Sequence, residues 1–189
     1  MKYFVPLTKD DVVMEFIETV PKTALDVFRI LPEGTLCEVI DNILYMSPAP
    51  NLTDQRLVFL FARKLADFVE IENVGEVFIS PFDVYLEHHL SAVQPDIAFV
   101  SQANANILKD DGYIHGVPDL IVEVLSGDVK RDKVKKKSLY ERAGVKEFFI
   151  ANPKTKKIEC FVLVDGRYEL AYAEEGVFKS ALLGLTFNF

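Results

Sequence analysis

Two carboxylates stand where buried strands normally carry apolar side chains. Glu123 lies within residues 120–126, a run in which five of the seven residues are aliphatic and which follows a Pro-Asp turn. Such a run predicts a central strand. Asp96 stands 27 residues earlier, directly before the apolar run 97–100. Because an unpaired buried carboxylate is costly, each acid is expected to be paired, neutralised or bound to a cation.

A third acid, Glu38, lies among apolar neighbours in a predicted hairpin over residues 35–47, whose turn is Asp41-Asn42. Glu38 shares a strand face with Leu36 and Ile40. Two interpretations stay open for it. Glu38 is either an edge-strand residue with its carboxylate in water, or a third member of an acidic site.

These acids match the requirements of phosphodiester hydrolysis. That reaction needs an activated water and stabilisation of charge on the phosphate, which divalent ions held by carboxylates, with a lysine nearby, supply. Mg²⁺ prefers oxygen ligands and keeps several waters, so two or three carboxylates suffice. Asp96, Glu123 and Glu38 are the predicted ligands of Mg²⁺ or Mn²⁺. Asp119 is a poor fourth ligand, because four strand residues place it about 13 Å from Glu123.

The strand of Glu123 is followed by the only basic stretch of the chain, a predicted helix over residues 128–144 that Gly144 ends. Six cations lie between Lys130 and Lys137. Asp132, Lys136 and Tyr140 follow one another at i, i+4 and i+8, so they share one stripe of the helix. The outward lysines indicate a solvated face, or a local contact for a polyanion.

Other elements form the frame that positions these residues. Apolar spacing predicts that the longest helix, residues 53–72, packs on a sheet. His88-His89 is interpreted as a solvated turn, because adjacent strand residues face opposite ways. Together the patterns predict a mixed α/β domain with N-terminal helices and a C-terminal β-meander. The remaining predicted helices span residues 8–19 and 23–30, and the remaining strands span 74–79, 82–87, 147–151, 158–164 and 168–173.

Length and composition limit the possible function classes. The 189 residues fit one domain, 1–189, with an N-terminal helical segment at 1–34 and a core at 35–189. The net charge of -8 would repel a polyanion on average, so nucleic-acid binding requires a local basic patch. No apolar run approaches the ~20 residues of a membrane span, and no signal peptide is apparent, which predicts a cytoplasmic protein. Cys37 and Cys160 are expected to be buried thiols.

Several of these segments together resemble the Uma-two family, a set of chains assigned as restriction endonucleases within the PD-(D/E)XK nuclease superfamily. The resemblance runs from about Cys37 to Gly184. It is carried by Pro95-Asp96, residues 118–126, the stripe Asp132, Lys136 and Tyr140, residues 143–149, and Asn152-Pro153.

The resemblance implies a restriction-endonuclease-like fold, with a central mixed sheet flanked by helices and the acids at the sheet centre. It also implies Mg²⁺-dependent cleavage of DNA. A homodimer is plausible because a double-strand cutter needs two sites related by symmetry.

The chain departs from the family pattern at two places. The superfamily lysine two residues after the glutamate is replaced by Leu125, so Lys136 is the predicted substitute, with Asp132 and Tyr140 as auxiliary residues. Asp54-Gln55 follows the Ser-Pro-Ala-Pro loop, where the family often has a histidine.

Three functional hypotheses follow. The first is a metal-dependent endonuclease with Asp96, Glu123, Glu38 and Lys136 in its active site, contacting DNA through the helix at 130–137. The second is a catalytically inactive nuclease-fold module that binds DNA or protein. The third is a structural protein in which Glu123 pairs with Lys136.

Overall fold

A computed structural model describes residues 20–126 and 131–189, except for the side chains of Arg131 and Asp132. The predicted first helix, residues 8–19, lies outside the described residues, as do Asp128 and Lys130. Within the described ranges, no helix is both long and apolar enough to span a membrane.

Three α-helices and thirteen strands make up the described structure. The helices are α1 (Ala24–Ile30), α2 (Leu52–Glu72) and α3 (Lys137–Ala143), which a π-helical segment (Arg131–Lys136) precedes. Two 3₁₀ segments cover Glu87–His89 and Gln102–Ile107. The strands are β1 (Cys37–Ile40), β2 (Ile43–Met46), β3 (Gly75–Ile79), β4 (Val84–Leu86), β5 (Ser91–Val93), β6 (Ile97–Ser101), β7 (Ile114–His115), β8 (Leu120–Val124), β9 (Glu147–Ala151), β10 (Lys157–Val164), β11 (Arg167–Glu175), β12 (Val177–Ser180) and β13 (Leu185–Asn188).

The helix ends follow the capping residues in the sequence. Thr23 and Asp26 form a reciprocal capping box at the start of α1. The side chain of Asn51 accepts the first backbone N–H groups of α2, and Gly144 ends α3 with a φ of 97°. The second, longest and last predicted helices are therefore confirmed within one or two residues over their described parts.

The strand of Glu123, β8, lies inside a six-stranded mixed sheet of order β11-β10-β9-β8-β6-β3. It pairs parallel with β9 and antiparallel with β6. Alternate side chains of β8 pack on opposite faces. Leu120 and Val122 pack with α2, whereas Ile121 packs with α3. Glu123 follows the alternation of Ile121 and so points to the face that α3 covers.

A second sheet of order β2-β1-β5-β4-β7 packs against that same face, because its apolar residues share a core with β8, β9 and α3. Its β1–β2 hairpin turns at Asp41 and Asn42, which have φ values of 51° and 60°, as the sequence predicts. In this sheet β1 lies between β2 and β5. The interpretation of Glu38 as an edge-strand residue is therefore wrong.

The sequence patterns miss the last ribbon of the fold, β12 and β13, which pair with each other at the C-terminal end of the chain. Both strands have only four residues, so their alternation is too short to distinguish from a loop. The ribbon places Phe178 and Phe187 against Phe61 of α2. It thereby closes the outer face of the helix-covered core.

Both cysteines are buried and free, as the sequence predicts. Burial, and then the negative charge of Glu147, raises the pKa of the Cys160 thiol to about 12; burial also raises the pKa of Cys37.

Because the thiolate is the reactive form, neither thiol should react with Ellman's reagent at about pH 8 in the folded protein. Both should react in denaturant. Rapid labelling of one thiol in the folded protein would contradict this.

Candidate active site

Asp96 and Glu123 come together where β6 and β8 lie side by side. Ile97 pairs with Val122 in this antiparallel ladder, so Asp96, one residue before, stands opposite Glu123. The backbone N–H of Val124 donates to Asp96 Oδ2 at 2.7 Å. This bond fixes the Asp96 carboxylate beside the strand position that carries Glu123.

Lys136 and Tyr140 reach Glu123 from the helical segment that packs over the sheet. Lys136 Nζ donates to the two carboxylate oxygens of Glu123 at 2.9 and 3.0 Å, and the Tyr140 hydroxyl donates to Oε1 at 2.7 Å. Residues four apart on a helix share one face, so both donors point at the same carboxylate. Glu123 and Lys136 are each only 3% exposed. Lys136, the predicted substitute for the lysine absent at position 125, thus contacts Glu123 directly.

Glu38 approaches the same ammonium from the second sheet. Its Oε1 lies 2.8 Å from Lys136 Nζ and accepts the backbone N–H of Gln94 at 2.9 Å. Glu38 is 2% exposed. One buried lysine therefore bridges a carboxylate of each sheet, and the geometry of the site depends on how the two sheets pack.

A pocket of about 460 Å³ opens above these residues. Glu38, Asp96, Glu123 and Lys136 all line it. The structure therefore brings all four main predicted site residues together. Tyr140 contacts Glu123 from within the core, whereas the side chain of Asp132 lies outside the described part of the chain.

Asp119 lies apart from this pocket, at the opposite end of β8. It accepts the backbone N–H of Ser101 at 2.9 Å and the Lys146 ammonium at 2.6 Å. Burial alone would raise the pKa of Asp119, but these hydrogen bonds outweigh it and the net pKa is lowered. Asp119 thus stabilises the segment that leads into β8, in agreement with its exclusion from the predicted metal ligands.

The predicted site does not include Gln94 and Asp54, which also line the pocket. Gln94 supplies the backbone N–H to Glu38, while its side-chain amide donates to Asp83 at 2.9 Å; burial raises the pKa of Asp83. The donor role of a backbone N–H does not depend on the residue type, so the sequence does not predict it. Asp54 also lines the pocket and is 5% exposed. The sequence distinguishes Asp54 only by its place after the Ser-Pro-Ala-Pro loop, where the chain departs from the family pattern.

The donor chemistry of the pocket fits a hard divalent cation, because the carboxylates of Asp96, Glu123 and Glu38 all face it. Within residues 20–126 and 131–189, however, no three His, Cys, Asp or Glu side chains stand close enough together to form a ligand set. The ammonium of Lys136 lies between Glu38 and Glu123 instead. An ion bound by these acids would therefore share the pocket with Lys136.

Replacing Lys136 by Met should destabilise the protein by about 3–5 kcal/mol, because it removes the ammonium from between two buried carboxylates. Urea unfolding in the presence of EDTA measures the change. The matched control is Lys146→Met, whose side chain is 61% exposed although it pairs with buried Asp119. That change should cost only about 1 kcal/mol. Equal costs for the two variants would contradict a stabilising role of the buried lysine.

Two of three comparisons with known proteins gave a match. Residues 25–188 match the Uma2 (Uma-two) family model, described as "Putative restriction endonuclease". A crystal structure from Anabaena variabilis ATCC 29413, titled as a "putative nuclease belonging to DUF820", superposes with a TM-score of 0.71 at 15% identity, covering 89% of this chain and 95% of that chain. Comparison with curated proteins gave no match. The superposition confirms the mixed α/β fold predicted from the sequence, one compatible with restriction endonucleases. Because the family model spans nearly the whole chain, the protein belongs to the Uma2 family.

Proposed function

We propose that this protein is a metal-dependent endonuclease that hydrolyses phosphodiester bonds in DNA. The observation that carries the proposal is the position of Lys136, whose ammonium lies against both Glu123 and Glu38. The helical segment thereby supplies an ammonium group that Leu125 on the strand side does not provide. Membership of a family described as restriction endonucleases supports DNA as the substrate.

In this proposal Asp96 and Glu123 hold Mg²⁺ or Mn²⁺, with Glu38 as an auxiliary ligand or as the group that orients the attacking water. The ion would activate the water and offset charge on the phosphate when bound. Lys136 stabilises the negative charge that develops on the phosphate oxygens. The hydroxyl of Tyr140 holds Glu123 Oε1 in one orientation, and Asp132 stays a predicted auxiliary residue.

The proposal includes contact with DNA through the basic helix at residues 130–137, a homodimer and a cytoplasmic location. The described part of this helix lies beside the pocket, because Lys136 belongs to both. A dimer would place two such pockets on the two strands of a duplex.

A second candidate function is a nuclease-fold module that binds DNA or protein without cutting it. Leu125 in the place of the superfamily lysine and the net charge of -8 favour this alternative. The two functions differ in what Mg²⁺ does to the protein and to its substrate.

Replacing Glu123 by Gln should reduce Mg²⁺-dependent cleavage of plasmid DNA at least about 100-fold, because it removes a negative ligand while keeping the size of the side chain. The assay follows the conversion of supercoiled plasmid to nicked and linear forms.

Glu147→Gln is the matched control for that experiment. Glu147 is also a buried strand glutamate, on neighbouring β9, but its carboxylate accepts hydrogen bonds from Ser180 and Leu182 and does not line the pocket. This variant should cleave as the wild type does. Equal cleavage by wild type and Glu123→Gln, or no cleavage of any DNA by the wild type with Mg²⁺ or Mn²⁺, would refute the nuclease proposal.

Mg²⁺ should also raise the melting temperature of the native protein in proportion to the logarithm of its concentration. At ten times the dissociation constant the gain is about 1.4 kcal/mol, or roughly 3–6 °C for a domain of this size. Asp96→Asn should abolish the shift, whereas Glu147→Gln should retain it. A wild-type melting temperature independent of Mg²⁺ and Mn²⁺ would favour the inactive module.

A further inference from the structure

A second cleft, of about 700 Å³, adjoins the active-site pocket. The two share Asn51, Asp54 and Ser126 as lining residues, so a ligand leaving the pocket on this side enters the cleft directly. The far wall of the cleft is the turn between β9 and β10, including Asn152 and Lys154. The cleft is thus an extension of the pocket toward that turn.

The topology of the sheet fixes this arrangement. Strands β8 and β9 run parallel, with Val124 paired to Ala151, and the N–H of Leu125 donates to the Ala151 carbonyl at 2.8 Å. Their carboxyl ends therefore reach the same edge of the sheet, where ligands of α/β proteins commonly bind. Ser126, which follows β8, lines the pocket, and the residues that follow β9 form the β9–β10 turn.

The turn presents lysines in a defined conformation. Asn152 Oδ1 accepts the backbone N–H groups of Lys154 and Thr155 at 2.9 and 3.2 Å, and Lys156 has a φ of 57°. Lys154, Lys156 and Lys157 are all exposed. Among the described residues, Lys154 and Lys156 form no ion pair, whereas Lys157 lies 3.8 Å from Glu159. An exposed hairpin turn often carries lysines for solubility alone, but this one borders the cleft that adjoins the pocket.

In the part of the chain that the structure describes, the lysines of the basic helix, unlike Lys154 and Lys156, form polar or ring contacts with other side chains of the protein. Each described one has a partner within the chain. Lys133 pairs with Glu159, Lys135 with the Tyr45 hydroxyl, Lys136 with Glu38 and Glu123, and Lys137 lies over the Phe161 ring. The cations of the β9–β10 turn are therefore the more available ones for a polyanion beside the pocket.

We propose that the cleft and the β9–β10 turn hold the sugar-phosphate backbone of the nucleic-acid strand on one side of the bond that is cut. This inference rests on the proposed function and adds the position of the nucleic-acid strand on the protein. Phosphate contacts fix the position of a strand without reading its sequence. Because the net charge of -8 repels a polyanion, Lys154 in the cleft wall and the neighbouring Lys156, which form no ion pair among the described residues, have a large share in binding.

The test is the salt dependence of binding to a fluorescent DNA oligonucleotide, as a duplex and as a single strand, measured by anisotropy in EDTA so that nothing is cut. The double variant Lys154→Gln/Lys156→Gln should bind about tenfold more weakly at low salt. Its slope of log affinity against log salt should be smaller by about 1.8, since each lost phosphate contact removes about 0.9 from the slope for a duplex.

Arg63→Gln/Lys64→Gln is the matched control, because it removes the same charge from an exposed face of α2. These residues lie about 18–20 Å along the helix from Asn51. The control should keep the wild-type affinity and slope.

Equal binding by the turn variant and the wild type, or an equal loss in the control, would overturn the placement of the strand even if cleavage is observed. Loss of binding in the turn variant alone supports the placement, even if no DNA is cut and the nuclease proposal fails. A wild-type protein that binds neither form of DNA would overturn both.

Discussion

The candidate site depends on one buried ammonium held between two carboxylates of different sheets. Lys136 comes from the helical segment, Glu123 from the six-stranded sheet and Glu38 from the five-stranded sheet. A lone buried charge of either sign would be strongly unfavourable, so the three groups are stable only together. These ion pairs therefore link the helical segment to both sheets at the pocket.

Lys136 reaches Glu123 although position 125, two residues after Glu123, is a leucine. The helix that carries Lys136 packs on the same sheet face as Glu123, through Leu139 and Tyr140. A long side chain one turn before Tyr140 then reaches the strand carboxylate. Leu125 is buried and belongs to the apolar core that the two sheets share.

Much of the site could be predicted from the sequence, because buried acids and helical spacing are local signals. Glu123 and Asp96 are conspicuous within apolar runs, and Lys136 and Tyr140 are four residues apart. The environment of Glu38 could not be predicted, since it depends on the pairing of Val39 with Ala92, more than fifty residues away. The role of the Gln94 backbone N–H likewise depends on a tertiary contact and not on residue type. Strands β12 and β13 are instead too short for their alternation to be distinguished from a loop.

The packing of the two sheets through a shared apolar core has a consequence for how the protein would evolve. Ile40 and Val93 of one sheet and Ile121 and Phe148 of the other belong to that core, whereas the carboxylates lie at its rim. A small core substitution that shifts one sheet against the other changes the spacing of the acids while leaving the protein folded. Selection for activity would therefore restrict apolar residues that never touch a substrate.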